Sequence, residues 1–183
     1  METVMSAPDM ALESISQGSW DRLVELGNGY KELNQPVLTG ASLREVYVRA
    51  VQEHDSGPAE GFRLSSPMLL AAVKDATAFG PYEIALRKIL AVGIEGKYCA
   101  GANWSVAVTA YLKVAGIKLW MTHYKFSSED SSVTFNPTLQ LAKASLTIGI
   151  YGEKHCLKIS GKACYWWSHW KCADFDESLV CFG

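Results

Sequence analysis

The sequence lacks long apolar runs, basic stretches and closely spaced cysteine pairs, and each absence removes a class of protein. No segment reaches the ~18 apolar residues that a helix needs to span a bilayer. Lys and Arg number 17 against 19 Asp and Glu, a net charge of −2, and they form no cluster. Nucleic-acid binders usually carry a basic stripe that displaces counterions from phosphates, so nucleic acid is not an expected partner. The opening Met1-Glu2-Thr3-Val4-Met5-Ser6 is acidic and has no apolar leader core. The expectation is synthesis in the cytoplasm with no signal peptide, a reading that still permits release to act outside the cell. There is no G-x-S-x-G elbow, no phosphate-binding glycine loop and no H-E-x-x-H zinc helix.

Metal ligation by cysteine usually needs pairs two to four residues apart. Of the five cysteines, Cys99 stands alone, and Cys156, Cys164, Cys172 and Cys181 are too far apart for that. No metal or cofactor is expected. The four late cysteines are read as small apolar strand residues, with disulfides as the alternative.

What the chain has is apolar and aromatic bulk. Hydrophobic residues make up 49% and charged residues 20% of 183 positions, with six Trp and eight Tyr. That composition predicts a folded chain of one domain, or two small parts sharing a core.

Two textures follow one another. Up to about Leu90 the pattern is helical. Ala7 to Gln17 predicts a short helix stopped by Gly18, and Ser19 caps a second that ends at Gly27-Asn28-Gly29. Ser42 precedes Leu43, Val46, Tyr47, Ala50 and Val51, a buried helical stripe with Glu45 completing a capping box. Ser66-Pro67 opens a fourth helix running to Phe79, and Tyr82 to Leu90 suits either a helix or a strand.

After Gly93 the period becomes two. Trp104, Val106, Val108, Ala110, Leu112 and Val114 alternate with polar or small neighbours, as in a strand buried on one face. Ile117 to Phe126, Val133 to Phe135, Leu139 to Leu141 and Ser145 to Tyr151 predict further strands, with hairpin turns at Gly152-Glu153 and Ser160-Gly161. The fold class is therefore α+β, with N-terminal short helices packed on a C-terminal antiparallel β-sheet or β-sandwich of six to eight strands. Residues 1–90 form the mainly helical region and 91–183 the β region of one shared globular unit.

Tyr165-Trp166-Trp167-Ser168-His169-Trp170 is the densest aromatic stretch. Read as a strand from Cys164 to Cys172, it puts Trp166, Ser168 and Trp170 on one face. Tyr165, Trp167, His169 and Lys171 fall on the other. One face can be core. The second, aromatic and basic, suits a wet interface, because Tyr and Trp combine an apolar body with a polar tip. The candidate ligand-binding residues are Tyr165, Trp166, Trp167, His169 and Trp170. The candidate partners are a membrane lipid headgroup, a glycan or a quaternary ammonium held by cation–π attraction.

Arg87-Lys88-Ile89, Ala91-Val92-Gly93-Ile94-Glu95, then Trp104 and Tyr111, together with the aromatic stretch, resemble the actinoporin-type pore-forming cytolysins over residues 87–172. The resemblance implies a β-sandwich that docks on choline lipids through Tyr165, Trp166, Trp167 and Trp170 and inserts an N-terminal helix. Met68 to Phe79 would be such an inserting segment. The family has only a short amphipathic segment before its sandwich, where this chain has a long one.

Catalytic candidates are sparse. His54, His123, His155 and His169 are scattered, and Cys156 or Cys164 could form a nucleophile–base pair with a histidine. Asp174, Asp176 and Glu177 read as solvated acids in a turn. The leading expectation is a non-enzymatic binding protein using an aromatic β-surface, a toxin or defence protein among the options. The alternatives are an interaction protein whose aromatics pack a homo-oligomer interface and a small cysteine hydrolase.

Overall fold

The computed structural model describes residues 12, 15–31, 34–54, 63–64, 78–87, 89–167 and 169–182. The expected helix from Ser66-Pro67, most of the Ala7–Gln17 segment, Met68 to Thr77 and Ser168 lie outside them. Two helices, α1 (Gln17–Tyr30) and α2 (Gly40–His54), precede nine strands. These are β1 (Arg63–Leu64), β2 (Ala78–Leu86), β3 (Leu90–Cys99), β4 (Ser105–Val114), β5 (Ile117–Ser127), β6 (Ser132–Phe135), β7 (Ala142–Tyr151), β8 (Cys156–Trp166) and β9 (Trp170–Cys181). The class is α+β and strand-rich.

Each helix is started by a side chain three residues upstream of the serine that the pattern suggested. Ser16, not Ser19, caps α1, its hydroxyl accepting from the Ser19 amide at 3.2 Å. Thr39 caps α2. Its hydroxyl accepts from the Ser42 amide at 3.1 Å, while the Ser42 hydroxyl accepts from the Thr39 amide at 2.9 Å. This reciprocal pair satisfies two otherwise orphaned donors. Gly18 lies inside α1, and Gly27-Asn28-Gly29 does not end it. Gly27 is used for packing: a Cβ there would sit 2.7 Å from Leu38 and 3.2 Å from Leu119. α1 lies through this glycine against the start of β5, covering part of an edge strand. α2 buries Leu43, Tyr47 and Val51, one stripe at i, i+4 and i+8.

The strands form two antiparallel sheets, ordered β1-β2-β3-β4-β5 and β6-β7-β8-β9. Consecutive strands pair as hairpins, a meander within each sheet. In β4 the alternation holds, with Val106, Val108, Ala110, Leu112 and Val114 all buried. Their partners in register include Ile94, Val92 and Leu90 of β3. One hydrophobic cluster runs from the helices through both sheets. The sheets meet where Phe182 stacks on Tyr98 at 4.6 Å and where Phe135 of β6 meets Trp120 at 5.8 Å.

Three expectations are corrected. Strand β2 begins at Ala78, inside the segment read as helical, and Gly80-Pro81 makes a bulge within it rather than a break. Ser160-Gly161 is mid-strand, not a turn. Gly161 pairs with Leu146 and Phe175, and a Cβ there would meet the Ser145 carbonyl oxygen at 1.8 Å. Leu139 to Leu141 forms no strand, only a bridge beside it between Thr138 and Lys143. The turn at Gly152-Glu153 joins β7 to β8 as expected.

Candidate binding surface at the β8–β9 hairpin

The aromatic stretch is not one strand. Trp166 ends β8, Trp170 begins β9, and the two pair directly in register. The turn is closed by the Trp167 amide donating to the His169 carbonyl at 3.0 Å. An unbroken run of large residues disguised a reversal of chain direction.

The hairpin sorts the candidate residues. Side chains of β8 alternate, so Leu157, Ile159, Ala163 and Tyr165 face the core. Tyr165 is 1% exposed and packs there, and it also forms part of the lining of the cleft beside the hairpin. Trp166 and Trp170 share the outer face, half-buried, with ring centroids 5.3 Å apart and planes at 69°, an edge-on pair. Such cross-strand aromatic pairs add about 0.5–1.5 kcal/mol beyond burial. Trp167 turns towards α2, 6.5 Å from Tyr47. The Tyr47 hydroxyl, itself buried, donates to the Trp166 carbonyl and ties α2 to the hairpin. His169 is exposed.

Two cations that the sequence did not single out as binding residues complete the surface. Lys143 of β7 is in register with Cys164 and lies beside the hairpin on the outer face. Its Nζ sits 4.4 Å from the centre of the Trp170 ring, a cation–π distance. Arg87, in the β2–β3 turn, joins His169, Trp170 and Lys171 in lining a cleft of about 460 Å³. Neither cation is near the aromatics in sequence. Strand pairing brings Lys143 there, and the approach of the two sheets brings Arg87.

The cysteines also follow from register, and the expectation of apolar thiols is overturned. Cys156 pairs with Cys181 and Cys164 with Cys172, each directly across β8 and β9, and each pair is disulfide-bonded. Directly opposed cysteines meet because Cβ atoms of paired residues lie within bonding reach. Both bridges lie on the outer face. Cys164–Cys172 sits one step from the Trp166–Trp170 pair and fixes it. A hydrolase using Cys156 or Cys164 is therefore excluded in this oxidised state, since neither carries a thiol. Cys99 is the free cysteine, and it is exposed.

The remaining candidates are dispersed. His123 Nδ1 lies 2.8 Å from Thr109 Oγ1 on the outer face of the first sheet, and the His155 ring stacks near Trp104 at 4.7 Å. Asp174, Asp176 and Glu177 lie in β9, not in a turn, and Asp176 is 4.0 Å from Lys158. Among the described residues no group of three potential ligands is arranged to hold a metal.

The outer face of the first sheet carries one compact polar group. Tyr111 lies across Gly93 and bonds to Glu83, and Glu83 pairs with Lys113 at 2.9 Å. Lys118 Nζ sits 4.3 Å from the Tyr111 ring centre. Burial raises the Tyr111 phenol well above its ordinary value. The charge of Glu83 and the hydrogen bond to it, then the charge of Glu95, add to the rise.

No protein-family model matches the chain, and no characterised protein and no solved structure matches it significantly.

Proposed function

We propose that this is a non-enzymatic binding protein whose β8–β9 end docks on a membrane interface. One observation carries the reading: the outer-face Trp166–Trp170 pair has Lys143 over one ring and adjoins a cleft lined by Arg87, His169 and Lys171. Half-buried tryptophans with ammonium and guanidinium neighbours suit the headgroup zone, where the rings meet the acyl boundary and the cations meet phosphate. Each cation near an anionic leaflet contributes about 1 kcal/mol, screened by salt.

The ligand preference differs from that implied by the actinoporin resemblance. The Trp170 face that would receive a choline is covered by Lys143, so the same geometry favours an anionic or phosphate-bearing headgroup over a quaternary ammonium there. The helices act as a cover on a two-sheet β-sandwich, α1 on β5 and α2 on the hairpin through Tyr47. Two disulfides agree with action in an oxidising space outside the cell.

Co-sedimentation with phosphatidylcholine vesicles, with and without phosphatidylserine, tests this while tryptophan emission is followed. Binding with a blue shift is expected, stronger with phosphatidylserine, weaker in high salt, and lost when Trp166 and Trp170 are both alanine. Dye release from the same vesicles would extend the reading to a pore. Equal binding by the double variant, or none by the native chain, refutes membrane docking and leaves a glycan or a second subunit as the partner.

A further inference from the structure

The outer face of the first sheet carries a groove along β4. Its floor is the outward row Ser105, Ala107 and Thr109, and its walls come from the strands on either side. Lys97 of β3 and Lys125 of β5 both pair directly with Ala107, one from each flank. Neighbouring strands lie about 4.8 Å apart, so the two lysine backbones are roughly 10 Å apart across the alanine. With Thr109 and His123 they line a space of about 520 Å³.

Core packing does not account for this floor. Ala107 is exposed in the middle of β4, which lies between β3 and β5, and alanine there adds neither burial nor strand propensity. What it adds is room, since a longer side chain would stand between the two ammonium groups. Towards the β3–β4 turn the face continues with Cys99, Ser105 and Ser127, one small residue per strand in register. The groove is therefore open at that end.

The walls are rich in donors. Lys97 and Lys125 are exposed, and among the described residues neither forms an ion pair with an acid. Glu95, in register with Thr109, is an acid of the same face, and its charge acts on the Tyr111 phenol. Two lysines against one glutamate leave the groove positive. His123 is exposed, and its Nδ1 lies 2.8 Å from Thr109 Oγ1. That contact holds the ring by one nitrogen and leaves Nε2 for a ligand.

The donor set calls for an anion, and the shape of the groove narrows the choice. Single-stranded nucleic acids stack their bases on exposed rings. The ring beyond Thr109 on this floor is Tyr111, 3% exposed and lying across Gly93 with Lys118 Nζ 4.3 Å from its centre. An acyl chain would need apolar walls, and these are lysine, histidine, serine and threonine. A chain of hydroxylated, negatively charged sugars fits an open polar groove with a cation on each side.

We propose that this groove binds a sulfated polysaccharide, with sulfates at Lys97 and Lys125 and the sugar hydrogen-bonded by His123 Nε2. The site lies on the first sheet, whereas the hairpin belongs to the second, and it does not depend on membrane docking.

The test titrates the purified, oxidised protein into a fluorescein-labelled heparin hexasaccharide, without vesicles, and follows anisotropy. Saturable binding is expected, weakening as salt is raised. Unlabelled hexasaccharide should displace the probe. The desulfated, N-acetylated form, which keeps its carboxylates, and an oligothymidylate of equal charge should each displace it about tenfold less effectively. Lys97→Ala with Lys125→Ala should weaken binding several-fold, and Lys97→Glu with Lys125→Glu about tenfold or more, each with an unchanged thermal midpoint. Lys158→Glu with Lys162→Glu makes the same change of net charge on β8 and should leave the affinity as it is. Cys99, the exposed free thiol two residues from Lys97, reports the location: saturating hexasaccharide should slow its labelling by a bulky maleimide several-fold. No saturable binding, native affinity in both Lys97/Lys125 double variants, or an equal loss in the β8 control would overturn the proposal. So would an unprotected Cys99, or equal displacement by the desulfated sugar or the oligothymidylate.

Discussion

Gly93→Ala is expected to destabilise the protein by about 2–4 kcal/mol, although its backbone can accept alanine. Gly93 of β3 is directly opposite Tyr111 of β4. A Cβ would lie 2.0, 2.2 and 2.4 Å from Cζ, Cε2 and the hydroxyl of Tyr111. Unstrained carbon contacts need about 3.5–4.0 Å, so the ring must leave the groove that the missing side chain provides. Overpacking costs about 1–3 kcal/mol. The displaced ring also weakens its hydrogen bond to the Glu83 carboxylate, which adds about 1 kcal/mol. Tyr111→Ala removes the same contacts and should cost about as much. In that background the clash is gone, and Gly93→Ala should be neutral or stabilise by about 0.5 kcal/mol, since strand glycine is entropically costly. Urea denaturation of the four proteins gives a coupling of about 2–4 kcal/mol. Independent sites add within about 0.5 kcal/mol, so an additive cycle would refute the idea that Gly93 exists to seat the ring.

Two further outcomes are expected. Opening Cys164–Cys172, separated by 8 residues, should cost about 2.5 kcal/mol, and Cys156–Cys181, separated by 25, about 3.5 kcal/mol, from loop-closure entropy; serine pairs compared by urea midpoint, with reductant as the control, check the order. The raised Tyr111 phenol sets a pH limit: the unfolded chain releases this proton near about pH 10 and the folded one only above it, so the contribution is complete below about pH 10. It is lost as pH rises, by about 1.4 kcal/mol per unit. Tyr111→Phe should show a shallower fall between about pH 10 and 11.5, and parallel curves for both proteins would refute the assignment.

Periodicity made the inner faces legible. The five alternating residues of β4 and the Leu43–Tyr47–Val51 stripe of α2 are core because their spacing matches strand and helix geometry, whatever their partners. Caps were less legible because Thr39 and Ser42, or Ser16 and Ser19, are equally good hydroxyls, and only the chain's entry angle chooses. Gly27 read as a stop signal because propensity is local, whereas its role is contact with Leu119, ninety-two positions on. The disulfides and Lys143 of the hairpin surface depended on register, and Arg87 on the approach of the two sheets. Cys156 meets Cys181, and Lys143 meets Trp170, only once β7, β8 and β9 are aligned, and a slip of one residue would send each to the opposite face. Tyr165 and Trp166 look interchangeable in sequence, yet that same alternation puts one in the core and leaves the other at the surface.

Both bridges join the same two strands, one near each end of β9, which is the outermost strand of its sheet. An edge riveted at both ends cannot peel away or be traded for the equivalent strand of another copy, so strand-exchanged dimers through β9 are closed to the oxidised chain. A protease that cuts at the Trp167–His169 turn would leave the C-terminal piece attached. The nick would show on a gel only after reduction, and the molecule could lose chain continuity at this turn while keeping its shape.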